Sequence, residues 1–329
     1  MLNGYLIGVF GAVPELKSSL ETSIAKKNEA EGITIYLRTE SGTKYSFLDD
    51  GSFPEKIQGY AQIASISDHA FYIFPNAGKL SAADGELAVL IDSLGLPGTV
   101  EVIDSEASAF QDLLKSIFKD VSLSRFPLEQ RSSKSSVISL SQIKERETWP
   151  KDRTLVYVDR AFNVKGVGLV VLGFALCGKV SVHDKLRLVP QSSGNKFAEV
   201  KGIQVNDEDQ ESVGRGIRVG LSLRGVELKD LEKVSWLDDG SFELSNSISF
   251  EFSQSKYYKQ ITVDRDVHLQ ANGELLVAHV STAESQPAAR VAKLQQEIPV
   301  WEGMPLCLID LNAKPLRVMG GGRASAGKK

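Results

Sequence analysis

Gly11, Lys17 and Ser18 lie between an apolar run, Leu2–Phe10, and a polar stretch, Glu15–Asn28, in which Leu16, Leu20 and Ile24 recur four apart. That spacing predicts a buried strand, a tight loop and a helix over 15–28. A phosphate-binding loop sits in such a place and reads G-x-x-x-x-G-K-[ST]. Its backbone N–H groups wrap phosphates, its Lys neutralises them and its hydroxyl reaches Mg²⁺. Here Leu16 replaces the second glycine, adding a Cβ where the backbone must approach closely. Pro14 removes one N–H. An ordinary strand–helix turn therefore competes with the phosphate-loop reading.

Other chemistry finds little support. The four histidines, His69, His183, His268 and His279, are scattered, with no i,i+4 pair and no cysteine beside them, so structural roles are expected rather than metal ligation. Cys177 and Cys307 cannot supply a disulfide framework or a four-ligand zinc site. No G-x-S-x-G elbow and no paired-carboxylate motif is present. The acidic run Asn206–Glu211 lacks the glycine and spaced Glu of a calcium loop and reads as a solvated turn.

The elements that must position these residues change character along the chain. Up to about residue 120, strands (2–10, 33–38, 44–48, 70–75, 99–103) alternate with helical stretches after Asp49, at 85–94 and at 107–119. Such alternation implies βα units around a mostly parallel sheet. Ser41-Gly42 reads as a hairpin turn and Gly95 as a helix C-cap. Residues 126–136 read as a loop, 137–140 as a last strand and 142–153 as a linker. From Thr154 to Leu237 short β-rich runs are punctuated by glycines, which is expected of a small closed barrel. Residues 242–318 repeat the texture with strands at 247–253, 260–269, 274–280 and 305–311. Residues 320–329 are expected to be a disordered basic tail. The resulting division is 1–147, a linker at 148–153, barrels at 154–238 and 239–319, and the tail.

Composition agrees with a multidomain globular protein of 329 residues, 42% hydrophobic and 24% charged. No apolar run approaches a membrane span, no signal-peptide pattern opens the chain, and a cytoplasmic monomer is expected. The formal net charge of −4 hides a split: residues 1–122 carry 9 Lys/Arg against 17 Asp/Glu, and residues 123–329 carry 29 against 25. Phosphate is repelled by the first part and tolerated by the second.

The run from Val158-Asp-Arg160-Ala-Phe162 through Gly166-Val-Gly168, Gly173 and Gly178 to His183-Asp184 resembles the opening of the second domain of translation elongation GTPases. Val200–Val205 and Gly216-Ile-Arg218-Val-Gly220 through Glu232 continue the match in order. It is similar above all to the selenocysteine-specific factor within the elongation factor Tu group. His183 departs from the pattern, standing where that family places glycine.

The resemblance implies a P-loop GTPase-like doubly wound α/β domain followed by two β-barrel domains, with GTP and Mg²⁺ as candidate cofactors. It places Gly11, Lys17 and Ser18 at the phosphate loop, Thr34 at the switch I threonine and Asp49 at the start of D-x-P-G-H. In that last motif Ser52 replaces the glycine and Phe53 the histidine that orients water. Asp104-Ser105-Glu106-Ala107 stands where N-K-x-D would read guanine. Phosphoryl transfer depends on positioning and electrostatics, so these losses imply a degenerate nucleotide site. A divergent but active GTPase and a non-translational scaffold on the same fold are the other two classes.

The resemblance further implies that the middle barrel holds the aminoacylated end of tRNA. Arg160 and Arg218 match the arginines that face the charged amino acid in the selenocysteine factor. Guanidinium forks suit an anionic group, although an ion pair of Arg160 with Asp159 or Asp184 also accounts for them. Lys256-Tyr257-Tyr258-Lys259 could contact a tRNA backbone or form a hairpin edge. The ribosome is a further candidate partner. The mRNA-binding extension of the selenocysteine factor is not expected after residue 319.

Overall fold

The computed structural model describes residues 2–12, 17, 25–28, 33–74, 80–104, 107–132, 139–190, 195–260, 264–283 and 286–325. The first sheet contains β1 (Gly4–Phe10), β2 (Lys26–Asn28), β3 (Thr34–Glu40), β4 (Thr43–Asp49), β5 (His69–Phe74), β6 (Gly98–Ile103) and β7 (Leu128–Arg131). Its spatial order is β2-β3-β4-β1-β5-β6-β7. β1 pairs in parallel with β4 and β5, and parallel pairing continues through β6 to β7. β1, β5 and β6 are buried along nearly their whole length, which explains why they read as unbroken apolar runs. The β3–β4 hairpin turns at Ser41 and Gly42, with φ of 49° and 81°, the left-handed pair that a two-residue hairpin requires.

Helix α1 (Gln58–Ile66) follows β4, α2 (Ala82–Leu94) follows β5 and α3 (Ala107–Ile117) follows β6. A reciprocal Ser81–Asp84 capping box starts α2, and Gly95 ends it at φ 60°.

Three expectations are corrected here. Lys26–Asn28 is a strand paired with β3, so the helix expected over 15–28 does not reach Asn28; residues 18–24 lie outside the described residues. Leu128–Arg131, expected as loop, is the parallel edge strand beside β6. Residues 139–140 are not strand, and 137–138 of that expected last strand lie outside the described residues.

The middle barrel comprises β8 (Leu155–Val164), β9 (Gly168–Cys177), β10 (Lys179–Ser181), β11 (Lys185–Val189), β12 (Phe197–Val205), β13 (Glu208–Gln210), β14 (Ser212–Gly214), β15 (Ile217–Arg224) and β16 (Trp236–Asp238). Its main sheet runs β11-β16-β8-β9-β15-β12-β13, and β11 also pairs with β12, which closes it. The third unit is a closed barrel of β17 (Glu243–Gln254), β18 (Arg265–Ala271), β19 (Glu274–Ala283), β20 (Gln286–Val300), β21 (Pro305–Ile309) and β22 (Val318–Ser325).

β22 overturns the expected disordered tail for residues 320–325. Its glycines are there because two backbones pass close by. A Cβ on Gly321 would lie 1.8 Å from the Ser93 carbonyl oxygen at the end of α2, and one on Gly322 would lie 2.4 Å from that of Glu251.

The domains meet through continuous packing. One hydrophobic cluster runs from Phe10, Phe53 and Tyr60 of the α/β domain to Trp301 and Met319 of the third barrel. Ser65 Oγ on α1 accepts from Gly273 N at 2.9 Å and Gln270 Nε2 at 3.0 Å. The 142–153 segment is docked between the domains: Trp149 packs at a tilt against Trp301, whose Nε1 donates to Thr148 O at 2.8 Å. Buried Arg146 donates to the Ala64, Ser65, Ser67 and Leu94 carbonyls at the ends of α1 and α2. Burial, and then the nearby charge of Arg323, pushes its guanidinium down to about 9. No helix among the described residues is long and apolar enough to cross a membrane.

Candidate functional site

Two places bear on function. The first is the end of the parallel sheet where a phosphate loop would sit. Gly11 leaves β1 at φ 151°, and a Cβ there would come within 2.7 Å of the Ile73 carbonyl oxygen. The neighbouring strand therefore demands this glycine whether or not a phosphate is present. Thr34 opens β3 directly opposite Asp49 at the end of β4. Lys17 is buried, and its Nζ lies 2.6 Å from Asp49 Oδ1, with the Tyr60 hydroxyl as second acceptor. Tyr60 itself donates to the same carboxylate oxygen at 2.7 Å, and its ring centroid lies 4.9 Å from Nζ. Gly11, Lys17, Thr34 and Asp49 are thus brought to one end of the sheet; Ser18 lies outside the described residues.

That geometry satisfies the lysine within the protein. Removing the carboxylate would leave a buried ammonium without its counter-ion, at a cost of about 3–5 kcal/mol. The segment after Asp49 is equally occupied. Asp50 accepts from Ser52 N at 3.0 Å and Ser52 Oγ at 2.8 Å. Phe53 is turned into the core, edge-on to Tyr60 with ring centroids 5.4 Å apart. Asp104, which follows β6 and opens the stretch that the resemblance aligns with N-K-x-D, is exposed at φ 51°.

Sequence reasoning missed Tyr60 and Arg317. Arg317, between β21 and β22, donates to the Pro54 carbonyl at 2.9 Å, the Glu55 carbonyl at 3.1 Å and the buried carboxylate of Glu86 on α2. Its guanidinium also lies 5.9 Å from the Phe53 ring centroid. Nothing in local spacing announces a contact between residues 54 and 317.

The second place is a cleft of about 620 Å³ on the middle barrel, lined by Arg160, Phe162, Leu172, Lys201, Ile203 and Arg218 among others. β8 and β15 flank β9, and a register shift between Val158 and Arg160 marks a bulge at Asp159. Asp159 Oδ2 lies 3.6 Å from Arg160 Nε and 4.0 Å from Arg218 Nη2. The partner of Arg160 is therefore Asp159; the Asp184 carboxylate instead accepts from Ser181 N at 2.7 Å. Burial raises the Asp159 carboxyl, opposed by the two guanidiniums, and burial lowers Arg218. Arg218 Nε is buried with no hydrogen-bond partner. Two cations sharing one carboxylate, beside an apolar wall with half-exposed Phe162, can take an anionic group joined to an apolar or aromatic body.

Most of the remaining candidates have partners within the protein. His69 Nε2 meets Thr99 Oγ1 at 3.0 Å, and burial pushes its imidazole down to about 4. Among the described residues no His/Cys/Asp/Glu group could hold a metal ion. Asn206 and Asp207 form the left-handed turn between β12 and β13. His183 has φ 76°, the conformation for which glycine is favoured. In the 256–259 turn, Lys256 reaches Asp120 Oδ1 at 2.8 Å, Tyr258 is buried and donates to Asp310 Oδ2 at 3.0 Å, and Tyr257 is exposed.

No protein-family model matches the chain. An uncharacterized protein of Methanocaldococcus jannaschii is 26% identical over 326 residues, 98% of this chain and 100% of that protein. The selenocysteine-specific elongation factor of the same organism is 28% identical over 258 residues, 68% of this chain but 54% of the factor. The chain thus spans about half the length of that relative. The elongation factor 1-alpha of Sulfurisphaera tokodaii is 28% identical over 150 residues, 45% of this chain and 32% of the factor. Translation elongation factor SelB of Methanococcus maripaludis, solved with the GTP analogue GPPNHP, superposes with a TM-score of 0.80 at 20% identity, over 100% of this chain and 80% of that one. These named relatives and structural neighbours are translation elongation factors, and the fold is their parallel-sheet domain followed by β-barrels.

Proposed function

We propose that the chain is an elongation-factor-like protein that binds the aminoacylated end of tRNA in the middle-barrel cleft, with GTP binding and hydrolysis weak or lost. One observation carries this reading: Arg160 and Arg218 line the same cleft and share a single carboxylate, Asp159. Around Asp159 itself that leaves one positive charge for an anionic ligand, while the wider lining carries Lys201 against Asp207 and Asp209. The apolar wall at Phe162 and Leu172 suits a base or an amino-acid side chain beside that charge.

The residues at the sheet end do not fit a GTP·Mg²⁺ complex. Lys17 and Asp49 are spent on each other and on Tyr60, and Phe53 is packed away where a water-orienting histidine would be needed. No catalytic step is therefore assigned to them.

Filter binding with aminoacylated and deacylated tRNA tests the reading. Wild type is expected to retain aminoacylated tRNA, and the variant carrying Arg160→Ala and Arg218→Ala to lose it. Equal retention by the two proteins would remove it. The ribosome is a second partner of this reading, testable by co-sedimentation.

A further inference from the structure

Two features of the molecule converge on the segment between β4 and α1. From inside, Asp49 is joined to Lys17 and Tyr60, so one carboxylate ties Lys17, the end of β4 and the first half of α1. From outside, Arg317 of the third barrel holds the Pro54 and Glu55 carbonyls while its Nε and Nη2 engage Glu86 of α2. Its backbone N–H adds a further bond to Glu86 Oε1 at 2.7 Å. Phe53 lies between these two grips, packed on Tyr60 and faced by the Arg317 guanidinium. Among the described residues, Lys17, Asp49, Asp50, Ser52 and Phe53 are each engaged by a protein group.

We propose that the Lys17–Asp49–Tyr60 cluster stands in for a bound nucleotide and that Arg317 staples segment 50–57 to the third barrel, so that the domains keep one arrangement whether or not nucleotide is present. The cleft on the middle barrel is then displayed constitutively, a consequence that rests on the reading given under Proposed function. The staple itself does not depend on that reading.

A ligand moves such an equilibrium only by its difference in affinity between two arrangements. A phosphate group that took Lys17 would have to displace Asp49 from it. The shared hydrophobic cluster between the α/β domain and the third barrel opposes any separation that would follow.

Hydrogen exchange read by mass spectrometry on the full chain, with and without millimolar GTP, GDP or GPPNHP in Mg²⁺, tests the proposal. Peptides covering residues 50–66 should exchange at rates that agree within about twofold in all conditions. Small-angle scattering curves should superimpose. Arg317→Ala should speed exchange of the same peptides roughly tenfold or more, with Arg317→Lys intermediate. A nucleotide-dependent change in exchange or scattering of wild type overturns the proposal, and so does an Arg317→Ala variant that exchanges as wild type does. If Arg317→Ala fails to fold, the wild-type nucleotide series decides alone. None of these readouts involves RNA, so failure to bind tRNA would count against the proposed function and leave the staple standing.

Discussion

The sheet end of the α/β domain and the cleft of the middle barrel both bring cations together, and they differ in what those cations have left to give. Lys17 is 3% exposed and held by one carboxylate and one hydroxyl, leaving no unmet charge. Arg160 and Arg218 are 34% and 13% exposed, and they divide one carboxylate between them at 3.6 and 4.0 Å. The sequence resemblance implies a phosphate site for the first and a charged tRNA end for the second. The lesson is that retained residue types do not imply a retained site. What matters is whether partners inside the protein have already satisfied them.

The largest effect that would break this comparison is on stability. Lys17→Met leaves the partly buried Asp49 carboxylate without its counter-ion, and a loss of about 3 kcal/mol is expected in chemical denaturation. Combining it with Asp49→Leu should recover most of that loss. A lysine kept for phosphate would instead show little stability cost in the single variant.

Next comes affinity. Arg160→Ala and Arg218→Ala together should weaken binding of aminoacylated tRNA at least roughly hundredfold, about 3 kcal/mol, with a smaller stability loss of about 1 kcal/mol because the half-buried Asp159 carboxylate loses both cations. Titration by filter binding reads both single variants and the pair.

A smaller effect separates a structural group in the α/β domain from both sites. The folded His69 imidazole, at about 4, lies below its unfolded value of 6.5, so the unfolded chain takes up the proton first on acidification. The contribution of neutral His69 is complete above pH 6.5 and is lost as pH falls towards 4. His69→Gln should remove up to about 3 kcal/mol of the pH dependence across that window, read from denaturation at fixed pH steps. Unaltered pH dependence in the variant would contradict this.

The smallest effect is expected at Lys256, whose exposed pair with Asp120 also joins the α/β domain to the third barrel. Lys256→Ala should leave the thermal midpoint unchanged within error, in contrast to Arg317→Ala.

Much of the fold was legible because the determinants were local. Ser41-Gly42 announced its hairpin and Gly95 its helix end, and the glycine spacing from Gly166 to Gly225 announced a barrel. The failures have one physical cause: the partner lay far away in sequence. Leu128–Arg131 is a strand only because β6 offers a parallel edge. Gly320–Gly322 read as disorder by composition, yet their lack of side chains lets β22 lie against Ser93 and Glu251. Within the sites, Gly11, Lys17, Asp49, Arg160 and Arg218 could be named from type and order. Asp159 was one of the two partners open to Arg160 from sequence, whereas the Asp49 and Tyr60 partners of Lys17 were not legible because they reach it only through sheet and helix packing.

The central claim is that the cleft works and the nucleotide site is closed. Binding of aminoacylated tRNA to wild type and to the double-arginine variant, measured without nucleotide, with GDP·Mg²⁺ and with GTP·Mg²⁺, tests both halves at once. The account predicts one affinity for wild type in all three conditions and its loss in the variant. A GTP-dependent rise of roughly tenfold or more in wild type, about 1.4 kcal/mol, would contradict it.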